Sequence, residues 1–350
     1  MSAADQLTGL TLDNGWIVSK HLARNPNGTG GTFSQSYEVA NGEKRGFLKA
    51  FDFSEAFDPG VDTVEAIRIL VESYNHERDI LDHCSDRRLS NVVIAIDHGS
   101  VQVPGLGQME GRVFYLIFEM ADSDVRVQMD VTKRFDALWC MRALKDVTLG
   151  LYQVHKEMIA HQDTKPSNVL AYGSDGFKIA DFGRSSRKGQ SVRHDGFTIA
   201  GDPAYAPPEL LYGYLHPDFV PRRIGCDLYM LGNLACFLFS GVNVTASLLA
   251  ALDPQHHPTQ WGGTYQEVVP YLQNAFTKVL SDIAPMVDEA IRDDVIRLIQ
   301  EQCNPDVGRR GHSRAIGHSS QYSLQRHLSH LDLAAKRLEI RLRTQGRFAA

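Results

Sequence analysis

The stretch VLAYGSDGFKIADFG, residues 169–183, restricts the possible folds of this 350-residue chain more than any other. Two short apolar runs flank GSDG, and turn residues between two such runs predict a β-hairpin. A hairpin brings its two ends together, so we expect Asn168 and Asp181 to lie side by side. Their amide and carboxylate oxygens are ligands that suit Mg2+. Asp163 lies in HQDTKPSN, the loop that leads into the same place.

The first third of the chain predicts a small strand-rich lobe with one helix. WIVSKHL, SYEVA and GFLKAFDF are short apolar or aromatic runs separated by Gly/Asn turns, which is typical of strands. DTVEAIRILVESYNHERDIL, residues 62–81, has the period of a long helix, and NVVIAIDHG and RVFYLIFEM predict two further strands. After ADSD, residues 121–124, the pattern is mainly helical. These patterns predict an α+β fold in which a short polar hinge joins a small lobe to a larger helical one.

A glycine-rich turn lies between the first predicted strands. NGTGGTFSQSY, residues 27–37, carries Gly28, Gly30 and Gly31, and glycines let backbone amides approach phosphate oxygens closely. Such loops are common, so this signal is weak alone. It becomes stronger because a strand ending in a lysine, Lys49, follows it.

Composition excludes several classes of protein. A formal net charge of −6 argues against a general nucleic-acid binder. The sequence MSAADQLTGL lacks the basic and apolar regions of a signal peptide, and the longest apolar stretch, residues 228–242, is too short to span a bilayer. Five scattered cysteines without CxxC spacing predict neither a disulfide framework nor a zinc site. We therefore expect a cytoplasmic protein with neither a nucleic-acid nor a membrane partner.

In order along the chain, these motifs resemble the signature set of the eukaryotic-like (Hanks-type) serine/threonine protein kinases. HQDTKPSN resembles the catalytic loop, and ADFG matches the family's DFG as it stands. PPEL resembles the end of the activation segment, with Glu209 as its acid, and Arg310 in NPDVGRRGHS is expected to pair with it. GCDLYMLG resembles the helix whose aspartate, Asp227, braces the catalytic loop. The resemblance runs from about residue 15 to residue 318.

The resemblance implies the bilobal protein-kinase fold, ATP as the nucleotide, and Mg2+ or Mn2+ as the metal. Asp163 would accept the proton of the acceptor hydroxyl, Lys165 would neutralise charge on the transferred phosphate, and Asn168 would join Asp181 in holding the metal. The residues that would bind the nucleotide are Gly28, Gly30, Gly31, Phe33, Phe47, Lys49, Glu77, Glu119 and Ala121.

The assignment of Glu77 and Phe47 to the nucleotide site depends on which face of the helix or strand each side chain occupies. Glu77 resembles the glutamate that pairs with Lys49, and Glu72 is the alternative, because residues five apart do not share one helical face. Phe47 stands where the family usually has alanine, and strand alternation puts it on the face of Lys49. We expect the small Ser36 to lie opposite Phe47, so that the exchange of sizes keeps a slot for the base.

The phenylalanine before Glu119, Phe118, would be the gatekeeper at the back of the nucleotide site.

Gln162 and Asp202 depart from the family pattern. Gln162 makes HQD of the usual HRD, a non-RD variant, and offers only neutral hydrogen bonds where arginine would grip a phosphorylated segment. We therefore expect activity that does not depend on phosphate at Ser185, Ser186, Ser191 or Thr198. Asp202 replaces a usual threonine and is expected to pair with Lys165.

The C-terminal tail carries a heptad stripe with few repeats, which favours packing on its own domain over dimerisation. The stripe consists of Leu324, Leu328, Leu331, Ala335, Leu338 and Leu342. The predicted domains are a small lobe at 15–120, a large lobe at 121–318 and an amphipathic helix at 319–345.

The predicted function is ATP- and magnesium-dependent phosphoryl transfer to a serine or threonine of a protein partner. Two alternatives stay open. Phe47 would favour a pseudokinase that acts as a binding module if it crowded the adenine, and Asp202 would favour a small-molecule kinase of the same fold.

Overall fold

The structure, a computed structural model, describes residues 2–23, 34–132 and 136–344. The chain divides into two compact units, Met1–Asp122 and Ser123–Ala350. The predicted phosphate-binding turn, with Gly28, Gly30, Gly31 and Phe33, lies outside the described residues.

The first unit contains an antiparallel sheet and one long helix. The strands are β1 (Ile17–Leu22), β2 (Ser34–Asn41), β3 (Lys44–Phe51), β4 (Ala95–Gln102) and β5 (Arg112–Glu119), and the helix is α1 (Thr63–Asp86). Their order in the sheet is β1-β2-β3-β5-β4. The helix begins where Asp62 accepts the backbone N–H of Glu65 at 3.2 Å, the usual way in which a side chain satisfies a free amide of a first turn.

One face of this sheet is covered by the N-terminal residues. Leu7, Leu12 and Trp16 are buried against inward side chains of the sheet such as Tyr37, whose hydroxyl donates to the carbonyl of Ala4 at 2.5 Å. On β3, the buried residues Gly46, Leu48 and Ala50 alternate with partly buried Phe47 and Lys49. The two-residue period of the strand therefore places Phe47 and Lys49 together on the opposite face.

The second unit is mainly helical and contains several short strands. Its strands are β6 (Ser123–Asp124), β7 (Ile159–Ala160), β8 (Val169–Ala171), β9 (Phe177–Ile179) and β10 (Ser186–Arg187). Its helices are α2 (Val125–Thr132), α3 (Ala137–Lys156), α4 (Pro208–Leu211), α5 (Gly225–Ser240), α6 (Val244–Ala250), α7 (Tyr265–Ile283), α8 (Arg292–Gln302) and α9 (Gln325–Thr344). Strands β6, β8 and β9 form one small sheet, and β7 pairs with β10.

Helix α5 forms the centre of the second unit. It is buried along nearly its whole length and packs against α3 and α8, which explains why the sequence there is apolar on all sides. Gly232 permits the close approach of α8, because a Cβ at that position would lie 2.6 Å from Cys303 Sγ.

No single helix among the described residues has both the length and the apolar composition needed to cross a membrane. Residues 220–240 and α6 reach that length and composition only when they are taken together across a bend of 88°.

Helix α9 packs on α3 and α8 of its own unit, but its buried face differs from the predicted stripe. The buried residues are Leu324, His327, Leu331, Ala334 and Leu338. His327 and Ala334 therefore take the places predicted for Leu328 and Ala335. The physical reason is a polar contact between helices, since His327 Nε2 lies 3.0 Å from Glu301 Oε2 on α8. Although burial raises the pKa of Glu301, hydrogen bonds from His327 and Ser313 bring it down to about 2.

The buried face of α9 predicts unequal effects of two neighbouring leucines. Leu331→Ala should lower the free energy of unfolding by about 2–5 kcal/mol, because the side chain is 2% exposed and leaves a cavity. Leu333→Ala removes the same atoms from a side chain that is 58% exposed and should change it by less than about 0.5 kcal/mol. Urea denaturation of the two variants measures both values. Equal losses would contradict the packing of this helix on its own unit.

Candidate active site

One buried carboxylate holds the start of the catalytic loop. Asp227, in the first turn of α5, is fully buried. Its Oδ2 accepts the backbone N–H of His161 at 2.7 Å and its Oδ1 accepts that of Gln162 at 2.6 Å, while His155 Nε2 lies 2.8 Å from Oδ2. Gln162 has a φ of 63°, a left-handed conformation that is uncommon outside glycine. The predicted brace from Asp227 is confirmed, and it fixes an unfavourable backbone directly before Asp163.

Asp163 and Asn168 form a closed pair at the two ends of the loop. Asn168 Nδ2 donates to the carbonyl of Asp163 at 2.8 Å and to its Oδ2 at 2.9 Å. Asp163 Oδ1 accepts the backbone N–H of Asp202 at 2.8 Å. Because Asn168 and Asp202 each donate to a different oxygen, the carboxylate of Asp163 cannot rotate freely. Its orientation is therefore set before any substrate arrives.

The predicted hairpin is present and brings Asn168 and Asp181 to its two ends. Strands β8 and β9 pair in antiparallel register, with Val169 opposite Ile179, and the backbone N–H of Ala180 donates to the carbonyl of Asn168 at 2.9 Å. Asp181 has a φ of 65°. A non-glycine residue in this region stores strain that is often found at functional sites.

The donor set at the hairpin fits a magnesium ion. Both hydrogens of the Asn168 amide are directed at Asp163, which leaves the amide Oδ1 to face a cation. Asp181 adds a carboxylate. Among the described residues, no group of three or more His, Cys, Asp or Glu side chains is arranged to hold a metal. A site with one or two protein oxygens, completed by substrate phosphates and water, is the arrangement that magnesium commonly uses.

Opposing influences act on the pKa of the Asp163 carboxyl group, and their net effect is to raise it. Burial raises the pKa of its carboxyl group above the ordinary value, the positive charge of Lys165 lowers it, and the negative charge of Asp181 raises it again. Burial wins because it removes the water that would stabilise the charged form. A carboxylate with a raised pKa is a better proton acceptor than an exposed one.

Lys165 lies between two carboxylates. Its Nζ is 3.1 Å from Asp163 Oδ2 and 3.4 Å from Asp202 Oδ2, so the predicted pairing with Asp202 is confirmed. The other oxygen of Asp202 accepts the backbone N–H of Ala204 at 3.0 Å. Asp202 therefore has a structural role as a cap as well as an electrostatic one.

In the first unit, Lys49 forms an ion pair with the buried Glu77. Lys49 Nζ lies 2.8 Å from both Oε1 and Oε2 of Glu77, and the Glu77 side chain is 2% exposed. The alternative partner, Glu72, is exposed and paired with Arg68 one helical turn away. The structure therefore selects Glu77.

The register of the sheet corrects one prediction about Phe47. Phe47 shares the face of Lys49, but the residue directly opposite it on β2 is Glu38, and Ser36 lies opposite Lys49. The predicted exchange of sizes between Ser36 and Phe47 is wrong by two residues, because the hydrogen-bond register, which the sequence does not show, decides which residues face each other.

On the other side of β3, the neighbour of Phe47 is Phe118. The two residues are paired across β3 and β5, and their ring centroids lie 6.4 Å apart. Glu119 and Ala121, at and after the end of β5, are partly buried. Phe47 and Phe118 therefore present two adjacent rings on the face that carries Lys49.

The hydroxyls of the activation segment are not equivalent. Ser185 and Ser186 are at most 1% exposed, and their hydroxyls donate to the carbonyl of Phe182 at 2.7 Å and to Asp195 Oδ1 at 2.9 Å. Ser191 and Thr198 are exposed. The sequence does not distinguish these four hydroxyls. Tertiary packing leaves only Ser191 and Thr198 accessible to a modifying enzyme.

Two arginines complete the second unit. Arg310 binds both oxygens of Glu209, at 2.6 and 2.7 Å, and is fully buried, so the predicted pair is confirmed. Arg223 donates to Gln162 Oε1 at 2.6 Å. Apart from the Arg-Arg pair before GCDLYMLG, nothing in the sequence pattern marks Arg223 as a functional residue, and its contact with Gln162 was not predicted.

Comparison with known proteins supports the same family. The protein kinase domain matches residues 62–319. The chain is 34% identical over 111 residues to the calcium/calmodulin-dependent protein kinase kinase cmkC of Emericella nidulans, covering 30% of this chain and 21% of that protein. It is 29% identical over 193 residues to Aurora kinase A-A of Xenopus laevis, covering 55% and 40%. It is 25% identical over 191 residues to the serine/threonine-protein kinase PkaB of Streptomyces coelicolor, covering 52% and 44%.

The chain thus spans less than half the length of each of these relatives. The family match covers more than half of the chain, and the strand-rich first unit and helical second unit agree with the predicted α+β fold class, which is confirmed. Lys49 lies before the matched range, yet it pairs with Glu77 inside that range. The chain belongs to the protein kinase family.

Proposed function

We propose that this chain transfers the γ-phosphoryl group of ATP, with Mg2+, to a serine or threonine hydroxyl of a protein. The observation that carries the proposal is the buried cluster of Asp163, Lys165 and Asn168 beside Asp181. Phosphoryl transfer requires little covalent chemistry from a protein, and such a cluster supplies the positioning and charge that it does require.

Asp163 is the proposed acceptor for the proton of the substrate hydroxyl. Its carboxylate is oriented by Asn168 and by the backbone of Asp202, and burial raises its pKa. Lys165, 3.1 Å away, keeps the carboxylate ionised and supplies positive charge for the transferred phosphoryl group. This division of tasks explains why a lysine and a carboxylate are buried together despite the cost of removing both from water.

Asn168 and Asp181 are the proposed metal ligands, and Lys49 is the proposed phosphate contact of the first unit. When bound, Mg2+ would neutralise charge on the phosphates of ATP. The carboxylate of Glu77 restricts Lys49 to one position. A lysine restricted in this way binds a phosphate without losing further side-chain entropy.

The acceptor class is proposed from the second unit and from one relative. Lys165 corresponds to the lysine of serine/threonine kinases, and the pair of Glu209 with Arg310 holds the end of the activation segment in place. PkaB, which is named a serine/threonine-protein kinase, aligns with about half of this chain. These features support a protein hydroxyl over a small molecule as the acceptor.

A non-catalytic, nucleotide-binding role is the second candidate. It is favoured by Phe47, whose ring stands beside that of Phe118 on the face of Lys49, where a smaller side chain would leave more room for a base. Nucleotide binding measured with and without Mg2+, beside turnover, separates the two roles. Binding without any phosphoryl transfer to a peptide library would support the second candidate.

The metal role predicts the effect of one isosteric change. Asp181→Asn removes the negative charge of a magnesium ligand without changing its volume, so we expect metal-dependent transfer from γ-labelled ATP to fall by at least about a hundred-fold. Asp175→Asn makes the same change at the turn of the same hairpin, at an exposed position, and should leave the rate within about two-fold. A rate near that of the parent for Asp181→Asn would refute the metal assignment.

The charge of Lys165 predicts a shift of the acid limb of the pH–rate profile. Asp163 must be ionised to accept a proton, and Lys165 lowers its pKa. Without that charge the pKa rises further, so in Lys165→Met the rate should reach half its maximum at a higher pH than in the parent. Lys188→Met, at an exposed position of the segment, serves as the control and should leave the limb unmoved. A shift to lower pH in Lys165→Met would contradict the proposed coupling.

As a non-RD enzyme with Gln162, this chain should not need phosphate on its activation segment. The double variant Ser191→Ala/Thr198→Ala removes the exposed hydroxyls and should keep kcat within about three-fold of the parent, since no charge-assisted bond is lost. Phosphatase treatment of the parent should have an equally small effect. A loss beyond about a hundred-fold in both samples would show that the segment is a phosphate switch.

A further inference from the structure

A network of four side chains joins the activation segment to the catalytic loop and to the start of α5. Its members are Gln162, Ser186, Asp195 and Arg223, here called the anchoring network. Arg223 is 5% exposed, and Gln162 and Ser186 are at most 2% exposed. The network contains no group assigned to the reaction, although Gln162 directly precedes Asp163 in the chain.

Arg223 is the cation of this network. Its NH2 group donates to Asp195 Oδ1 at 2.9 Å and to the Asp195 carbonyl at 3.1 Å, and its NH1 group donates to Gln162 Oε1 at 2.6 Å. The neighbouring Arg222 donates to the same carbonyl at 2.8 Å. Both arginines therefore contact Asp195, but only Arg223, which is nearly buried, contacts its carboxylate, a side chain that is 31% exposed.

Gln162 provides the link between the arginine and the segment. Its Nε2 donates to the Arg184 carbonyl and to the Ser186 hydroxyl, both at 2.9 Å, while its Oε1 accepts from Arg223. The Ser186 hydroxyl then donates to Asp195 Oδ1 at 2.9 Å. An amide side chain satisfies both neighbours because it carries a donor and an acceptor. Arginine at position 162 has no acceptor and would place a second positive charge against Arg223.

The backbone around Arg223 is unusual. Residues Val220–Ile224 form a π-helical turn directly before α5, a wide turn that is frequently found at functional sites. The same helix carries Asp227, which holds the backbone of Gln162. The turn and the helix that follows it therefore bind the side chain and the main chain, respectively, of the residue that precedes Asp163.

The segment also contacts the catalytic loop at its far end. A Cβ on Gly201 would lie 2.2 Å from the Gln162 carbonyl, so only glycine permits this approach. The next residue, Asp202, donates its backbone N–H to Asp163 Oδ1. The segment therefore contacts the catalytic loop at two points, the Gln162 side chain and the carboxylate of Asp163.

We infer that Asp195 and Arg223 form a permanent ion pair that orders the activation segment and positions the catalytic loop without a covalent phosphate. Asp195 supplies, from within the segment, the anion that phosphorylation would otherwise supply, and Gln162 transmits the restraint. Asp195 and Arg223 are positioning residues, because they contact Gln162 and not the reacting atoms. Only the expected changes in kcat and KM rest on the proposed function; the ordering of the segment by this pair does not.

The test uses the full chain and compares Asp195→Asn, Arg223→Met and the double variant with the parent. Asp218→Asn is the matched control, since its side chain is 79% exposed. The readouts are amide hydrogen exchange of peptides within 184–202, kcat, and the KM for ATP. Exchange of peptides from α5 and thermal unfolding report whether each variant is folded.

We expect faster exchange in 184–202 for both single variants, with α5 unchanged. We also expect kcat to fall by about ten-fold or more while the KM for ATP stays within about two-fold, because each variant lacks the charge-assisted hydrogen bonds that hold the segment. The double variant should lose little more than the worse single variant, since the two groups act as one pair. Asp195→Glu, which keeps the charge, should retain more activity than Asp195→Asn.

Parent-like exchange in 184–202 for Asp195→Asn and Arg223→Met would overturn the inference, and so would additive losses in the double variant. If a single variant unfolds globally, the exchange of Asp195→Glu and Asp195→Asn decides between a pair that orders the segment and one that does not. Absence of phosphoryl transfer in the parent would refute the proposed function alone, because the exchange measurements would still show whether the pair orders the segment.

Discussion

The geometry of the second unit depends on the buried carboxylate of Asp227. Its two oxygens accept consecutive backbone N–H groups, from His161 and Gln162, and so hold Gln162 in a left-handed conformation that its own sequence does not favour. A buried carboxylate without these donors would be strongly destabilising, and the amides without the carboxylate would be unsatisfied. Each side of the contact therefore requires the other. The orientation of Asp163 follows from it.

Ion pairs with at least one buried partner fix the remaining parts of the site. Lys49 with Glu77, Arg310 with Glu209 and Arg223 with Asp195 each join segments that are distant in the sequence. Such pairs add little net stability, because desolvation offsets most of the attraction, but removing one partner typically costs about 3–5 kcal/mol. Their effect is to select one arrangement among many compact ones. Under the proposed function, phosphoryl transfer would need this, since its rate would depend on geometry more than on reactive groups.

The pair of Arg223 with Asp195 also bears on the neutral residue Gln162, which follows His161 in the catalytic loop. Arg223, directly before α5, donates to Gln162, and Gln162 in turn donates to Ser186 of the segment, so a cation still contacts a neutral residue 162. The interaction of a charge with the activation segment depends on its distance in space and not on its position in the sequence. In the inference drawn above, the neighbouring element supplies the interaction that the neutral residue 162 lacks.

The sequence by itself determined the features that depend on short-range spacing. The hairpin of β8 and β9 and helix α1 follow from turn residues and periodicity within a few tens of residues, whereas the role of Asp227 was expected only from the resemblance of its motif to the kinase family. Only the tertiary structure decided that Ser36 faces Lys49, that His327 and Ala334 line the buried face of α9, and that Ser186 is buried while Ser191 is exposed. The pairing of Arg223 with Asp195 and Gln162 belongs to the same group, because it joins positions 28 and 61 residues apart. The physical reason is that local spacing is set by chain geometry, whereas register, burial and ion pairing depend on which surfaces meet when distant segments pack.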